Sequence, residues 1–298
     1  PPPVPRPMYS RALSPKTQAD EKKFGESFTK LLDEDVTLTA ERDNRTGELV
    51  TAAMSQLHLQ IILDRLKSRY GVEVETGEPK IAYLETITGN GDAQYRHKKQ
   101  SGGSGEFGEV WLKVEPTERG AGIEFESAVF GGAISASYVQ SAEKGIRALL
   151  DEGLLSGCQI VDVKVIIYDG KEHPVDSKDV AFQKAGREAF KQAFMAAKPA
   201  LLEPIVHLEV SFPSEQMGDI QGDLTRRRGR VQGMDSVGNF QILKALVPLA
   251  ELADYASSLG SITGGQGSFD MEHAHFEAAP GNVQKQVVEA FQKEQASD

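Results

Sequence analysis

"SGGSGEFGEVWLKVEP", residues 101–116, decides between two kinds of fold. Gly103, Gly105 and Gly108 spell GxGxxG, and Val110 extends the match to the glycine-rich loop that covers nucleotide phosphates in kinases. A phosphate-binding loop of the dinucleotide type follows an apolar strand and opens a helix, whose N-terminal N–H groups meet the anion. Here "YRHKKQ" (95–100) comes before, polar and basic, and the residues after alternate as Val110, Leu112 and Val114. That period of two predicts a strand. No GxxxxGK[ST] loop, VAIK-type strand, HRD loop or DFG triplet occurs in the sequence. The stretch is expected to be a turn between two strands. The competing reading, a nucleotide-dependent enzyme, requires this chain alone to bind ATP or GTP.

Working outward, residues 78–199 predict strands around 82–96, 109–115 and 123–130 and a helix from about Ser137 to Gly153. The strand "IVDVKVIIY" follows, then a long helix from about Lys178 to Lys198 with Phe182, Ala185, Ala189 and Phe194 facing inward. Asp176 and Ser177 are expected to cap that helix. On the N-terminal side, residues 8–77 predict strand, helix, strand, strand, helix, strand. Thr17 is placed to cap the first helix and Ser55 the second, with Leu57, Ile61 and Leu66 on its apolar face and Gly71 closing it. Residues 200–280 repeat the order: "IVHLEVSF", a helix from about Ser214 to Arg228, a hairpin pair, "LAELADYASSL" and the alternating "SFDMEHAHFEA". That order is the ferredoxin-like split βαβ. The last stretch, "NVQKQVVEAFQKEQ", is a further amphipathic helix.

Hydrophobic residues make up 39% and charged residues 26% of the 298, as in ordinary globular chains. No run of about 18 apolar residues exists, so no membrane span is expected. The one cysteine, Cys158, has no internal partner, which fits a reducing cytoplasm, and is expected to be a small core residue. The opening "PPPVPRP" is stiff, linker-like and without an initiator Met, as expected of a piece of a longer chain. Net charge is −11, which argues against non-specific nucleic-acid binding and against a stand-alone RNA-binding module. Residues 200–298 hold 7 Lys and Arg against 14 Asp and Glu, yet Arg226, Arg227, Arg228 and Arg230 sit together. Such a cluster serves either a helix C-terminus or RNA phosphates. His273 and His275 share one strand face with no further ligands near in sequence, and no metal site is expected. His58, on an amphipathic helix, is expected to bond between elements. His173, in "YDGKEHPVDS", is by composition a solvated loop side chain.

Several long motifs are more specific. "SPKTQADEKKF", "MSQLHLQIILDRLK", "KKQSGGSGEFGEV", "HPVDSKDVAFQKAGREAFKQAF", "LLEPI", "GDLTRRRGRVQG" and "SITGGQGSF" together resemble elongation factor G, in that family's order and over nearly the whole chain. The resemblance is to domains III, IV and V of this ribosomal translocase. It implies an α+β chain: ferredoxin-like domains at 1–77 and 200–281 flanking a ribosomal-protein-S5-domain-2-like arm at 78–199, with the helix 282–298 packing back on the arm. It implies no catalytic residue and no cofactor in these residues, with GTP and magnesium bound by the GTPase domain of a full-length, monomeric, cytoplasmic parent.

The implied partners are the small-subunit decoding centre, the sarcin–ricin loop and stalk base of the large subunit, and the transfer RNA–messenger RNA complex. The arm's tip would comprise His173, which the eukaryotic counterpart modifies to diphthamide, with Lys171 and Lys178, and the loop of Lys98, Lys99, Gln100, Gly102, Gly103, Ser104 and Gly105. Arg226, Arg227, Arg228 and Arg230 would meet large-subunit RNA. Most family members have Arg where this chain has Ser104 and a polar amide where it has Glu106. Such tips are similar to those of elongation factor G-like paralogues. A paralogue acting in ribosome recycling, or without elongation activity, is the alternative.

Overall fold

The computed structural model describes residues 7–100 and 105–296. Contacts divide the chain into two units, Pro1–Ala82 with Glu203–Glu277 and Tyr83–Leu202 with Ala278–Asp298. The first unit opens with β1 (Tyr9–Pro15), α1 (Glu21–Glu34), β2 (Thr39–Arg42), β3 (Leu49–Ala53), α2 (Gln56–Tyr70) and β4 (Val74–Gly77). The sheet order is β2-β3-β1-β4, antiparallel throughout. Each helix buries one stripe, and both buried stripes meet the same core: Phe24, Phe28 and Leu31 from α1, Leu59, Ile62 and Leu66 from α2. Ser55 Oγ accepts from His58 N (3.1 Å) to start α2, and Gly71, at φ +63°, ends it in the left-handed conformation that glycine adopts without strain.

Two local expectations shift. Thr17 bonds to Asp20 (2.6 Å) around a 3-10 turn, Gln18–Asp20, that precedes α1. In α2, Leu57 and Ile61 are exposed while Leu59 and Ile62 are buried. The run "LHLQIIL" is apolar on more than one side, so its period alone does not select the core stripe.

The second unit contains β5 (Leu84–Ile87), β6 (Gly91–Lys99), β7 (Glu106–Pro116), β8 (Ile123–Ser127), α3 (Ala136–Glu152), β9 (Val163–Lys171), α4 (Asp179–Ala196) and the first residues of β10 (Pro199–Pro213). The strand expected over 82–96 is broken at Gly89, whose N–H donates to Ala197 O (2.9 Å). The sheet order is β6-β7-β9-β8, with β8 parallel to β9 and the other pairs antiparallel. Val110, Leu112 and Val114 face inward and meet Phe182, Ala185, Ala189, Phe190 and Phe194 of α4. The helices α3 and α4 approach closely because Gly145 lies on the Gln183 backbone and Gly186 on that of Ala142, where a Cβ would collide.

Glu85 of β5 is fully buried. Its Oε2 accepts from the N–H groups of Leu154 (2.7 Å) and Leu155 (2.9 Å). Its Oε1 accepts from Ser156 N (2.8 Å), Ser156 Oγ (3.1 Å) and Cys158 N (3.2 Å).

The first unit resumes with α5 (Met217–Arg226), β11 (Arg230–Val237), β12 (Phe240–Pro248), α6 (Tyr255–Thr263) and β13 (Ser268–Ala278). Order β11-β12-β10-β13 reproduces the connectivity of the first sheet. Val206, Leu208, Val210 and Phe212 of β10 pack against Ile220, Leu224 and Tyr255. The last helix, α7 (Gly281–Gln295), belongs to the second unit, where Gln284 Oε1 accepts from Leu201 N (3.3 Å) and Phe291 lies against Gly157. The chain is thus α+β, with two ferredoxin-like split βαβ domains and an α/β domain between them in sequence. A cleft of about 640 Å³ in the first unit, bordered by Tyr9, Arg45, Leu252 and Phe269, gathers none of the sequence-predicted site residues.

Candidate nucleic-acid interface

Antiparallel pairing of β7 with both β6 and β9 brings three segments to one end of the second unit: the end of β6, the start of β7 and the β9–α4 connection. Gly102, Gly103 and Ser104 lie outside the described residues. Either side of them the geometry is explicit. Asp176 O accepts from Phe107 N (2.9 Å), and Asp176 Oδ1 accepts from Gly105 N (3.1 Å). Ser177 Oγ accepts from His173 N (2.8 Å) and donates to Phe107 O (3.1 Å). Asp176 and Ser177 therefore tie the start of β7 to the β9–α4 connection. They do not cap α4, whose N-cap residue is Lys178.

This latch accounts for two glycines of the GxGxxG pattern. A Cβ on Gly105 would stand 3.1 Å from the Asp176 carboxyl carbon, and one on Gly108 would stand 3.1 Å from the Ala181 carbonyl carbon of α4. Close packing of strand against loop and helix asks for glycine here, without a phosphate.

His173 is half exposed at the turn of the second loop. Its Nδ1 accepts from Val175 N (3.3 Å) and Asp176 N (3.2 Å). In the neutral ring the proton then sits on Nε2, the nitrogen these bonds leave free to donate to a phosphate or ribose oxygen. Nitrogen-15 NMR of the imidazole is expected to show the Nε2–H tautomer for His173, and a dominant Nδ1–H form would refute this bonding.

Lys98, Lys99, Gln100, Lys171 and Lys178 are exposed around the same end. Lys98, Lys99 and Lys171 have no ion-pair partner among the described residues. Glu106 is a different case. Its Oε2 meets Lys184 Nζ (2.8 Å) and His97 Nε2 (2.8 Å), and Lys184 first, then His97, hold its carboxyl down to about 2. The negative charge that the sequence adds at this end is thus countered from α4. Lys184 lies 78 residues away in sequence, and no local pattern announces the pair.

The arginine cluster at the end of α5 divides in two. Arg227, with a side chain only 12% exposed, bonds to Asp223 Oδ2 (2.8 Å) and Asp254 Oδ1 (2.6 Å) and lies 5.2 Å from the Tyr255 ring centroid. Arg228 spans Glu203 with two bonds (2.7 and 2.8 Å) and reaches Glu251 (2.9 Å), and these carboxylates push its pKa up. Arg226 is 77% exposed and makes a loose contact to Asp223 (3.3 Å), its one ion pair among the described residues. Arg230 is half exposed beside Glu277.

Among the other histidines, His275 pairs with Glu277 (2.7 Å) and His273 packs on Phe276, while His58 joins Met54 N (3.2 Å) to Asp35 (2.9 Å). Burial pushes the Cys158 thiol pKa up, away from the reactive thiolate.

Comparison with known proteins gives this end a context. Residues 4–78 match the model for Elongation Factor G, domain III, residues 79–198 that for Elongation factor G, domain IV, and residues 200–287 that for the Elongation factor G C-terminus. An elongation factor G-like protein of Thermotoga maritima is 44% identical over 295 residues, covering 99% of this chain and 43% of that protein. The crystal structure of ttk003000868 from Thermus thermophilus is 40% identical with a TM-score of 0.82, covering 98% of this chain and 44% of that one. The chain therefore spans less than half the length of these relatives. Its three domains, matched in sequence and order from residue 4 to residue 287, belong to the elongation factor G family, of which they are domain III, domain IV and the C-terminal domain.

Proposed function

We propose that this chain is the ribosome-binding C-terminal arm of an elongation factor G-like translational GTPase and promotes movement of transfer RNA and messenger RNA. The observation that carries the reading is the latched end of the second unit. Asp176 and Ser177 join the start of β7 to the β9–α4 connection, around which His173, Lys98, Lys99 and Lys171 are exposed. Exposed ammonium groups around a joined strand and connection suit contact with RNA phosphates. On this reading the arm meets the decoding centre and the transfer RNA–messenger RNA pair, and the C-terminal domain meets the sarcin–ricin loop and stalk base.

The chain's own residues do not fit GTP or magnesium. It has no GxxxxGK[ST] loop, and Gly105 and Gly108 are occupied in packing. Nucleotide chemistry is assigned to a GTPase domain of the full-length protein outside these residues, acting in the cytoplasm as a monomer.

Ser104 and Glu106, which depart from the family's usual residues, favour a second reading as a recycling or elongation-inactive paralogue. Pairing of Glu106 with Lys184 and His97 weakens the part of that argument that rests on Glu106. Messenger movement and ribosome splitting, measured side by side with the full-length protein, separate the readings. Movement without splitting supports translocation, and splitting without movement supports recycling.

The C-terminal domain gives a second expected outcome. Replacing Arg226 and Arg230 together with alanine should weaken ribosome binding by about 1–3 kcal/mol and flatten its salt dependence, since these are the exposed members of the cluster. Unchanged affinity and salt slope in a filter-binding titration would remove RNA contact by this cluster. Arg227 and Arg228 are not useful probes, because removing Arg228 strips the buried Glu203 of its bidentate partner and removing Arg227 takes the closer of two arginines from the buried Asp223.

A further inference from the structure

The β8–α3 connection, residues 128–135, forms a third loop at the latched end. Parallel pairing of β8 with β9 carries it there: Ala128 N donates to Ile167 O (2.8 Å), and Ser135 N donates to Glu172 Oε2 (3.0 Å). Tyr138, in the first turn of α3, donates to Ser177 O (3.1 Å) and stacks on Phe182 at 4.4 Å between centroids. The loop is pinned on both sides. Val129 packs against the core, and Ile134 is buried, where a Cβ on Gly170 would come within 3.0 Å of its Cγ2.

Between these anchors Phe130 is 93% exposed. A Phe on a loop held by buried neighbours, yet turned fully to solvent, forgoes about 1.5–3 kcal/mol of burial. Gly131 and Gly132 follow at φ +68° and +72°, with nothing within 4 Å of where a Cβ would stand. Backbone without side chains therefore borders the ring and gives another molecule room to approach it. Lys171 and the half-exposed His173 lie on the neighbouring loop.

We infer that Phe130 is a stacking platform for an unpaired base of single-stranded RNA, on the connection that neighbours the one carrying Lys171 and His173. An aromatic face next to ammonium groups is the combination that holds unpaired nucleotides, the ring taking the base and the cations the backbone. Acidic protein surfaces and lipid headgroups lack the flat π-face that would match Phe130. The inference rests on the reading of this end as RNA-facing.

The test is a binding titration of the full-length protein on small ribosomal subunits, with Phe130→Leu, Phe130→Trp and His173→Ala beside the unaltered protein. Leucine keeps apolar bulk and loses the π-face, and tryptophan keeps the π-face. Phe130→Leu is expected to weaken binding about tenfold while Phe130→Trp stays within about twofold of the unaltered protein, in keeping with the cost of losing one stacked base. Melting temperatures should not move, since the ring contributes little to the core. Subunits with and without bound messenger identify the base's source: loss of the effect without messenger assigns it to messenger, and persistence assigns it to ribosomal RNA. Equal effects of leucine and tryptophan, whether both null or both weakening, overturn stacking. If His173→Ala weakens binding and Phe130→Leu does not, stacking alone fails. If neither does, the RNA-facing reading fails with it.

Discussion

Exchanging Glu85 for glutamine is expected to lower the stability of the second unit by about 3–5 kcal/mol, because a buried carboxylate that serves several donors is replaced by an amide that can serve only some. Glu85 accepts two N–H groups on one oxygen and two N–H groups and a hydroxyl on the other. In glutamine one of those positions becomes NH₂, itself a donor, and faces donors at hydrogen-bond distance. At least two backbone N–H groups then lose their acceptor around a fully buried side chain, each at about 1–3 kcal/mol. The loop 154–158 they belong to holds Gly157 against Phe291 of α7, so the loss should spread to that helix.

The check is direct, since the chain's single tryptophan, Trp111, lies on β7 of this unit. Denaturation followed by tryptophan fluorescence should show a midpoint lowered by roughly 10 °C, given about 2–4 °C per kcal/mol for a chain of this size. A change within about 0.5 kcal/mol, the range of ordinary surface substitutions, would mean the cradle is not structural.

Sequence made much of this architecture legible, and the reasons are local. Strand period, helix stripe and turn residues lie within a few positions of one another, so both βαββαβ repeats and the buried face of α4 could be read from "FQKAGREAFKQAF" and its counterparts. Glu85 escaped because its donors are about 70 residues distant and its surroundings, "AYLETITG", read as an ordinary strand. The same distance hid the latch. Asp176 and Ser177 precede a helix and look like caps, whereas their partners, Gly105 and Phe107, are some 70 residues back.

The arginine run shows the limit from the other side. Four like charges look equivalent in sequence, and only the positions of Glu203, Asp223, Glu251 and Asp254 separate the two held inside the fold from the two that face solvent. Phe130 had a visible signal, an aromatic residue followed by two glycines before a helix. What the string lacked was its exposure.

The central claim is that the latched end of the second unit acts on RNA during messenger movement, and replacing His173 with alanine in the full-length protein tests it most directly. The ring is half exposed, and its Nδ1 meets two backbone N–H groups of its own loop and, at 3.5 Å, the Asp176 carboxylate, so folding should change by less than about 0.5 kcal/mol. If GTP chemistry belongs to a domain outside these residues, as proposed, hydrolysis stimulated by ribosomes should stay near the unaltered rate. Movement of messenger RNA, followed in a stopped-flow experiment with a fluorescent label at its 3′ end, is expected to slow about tenfold, equivalent to roughly 1.4 kcal/mol of added barrier. Movement as fast as that of the unaltered protein, with hydrolysis intact in both, would contradict the account.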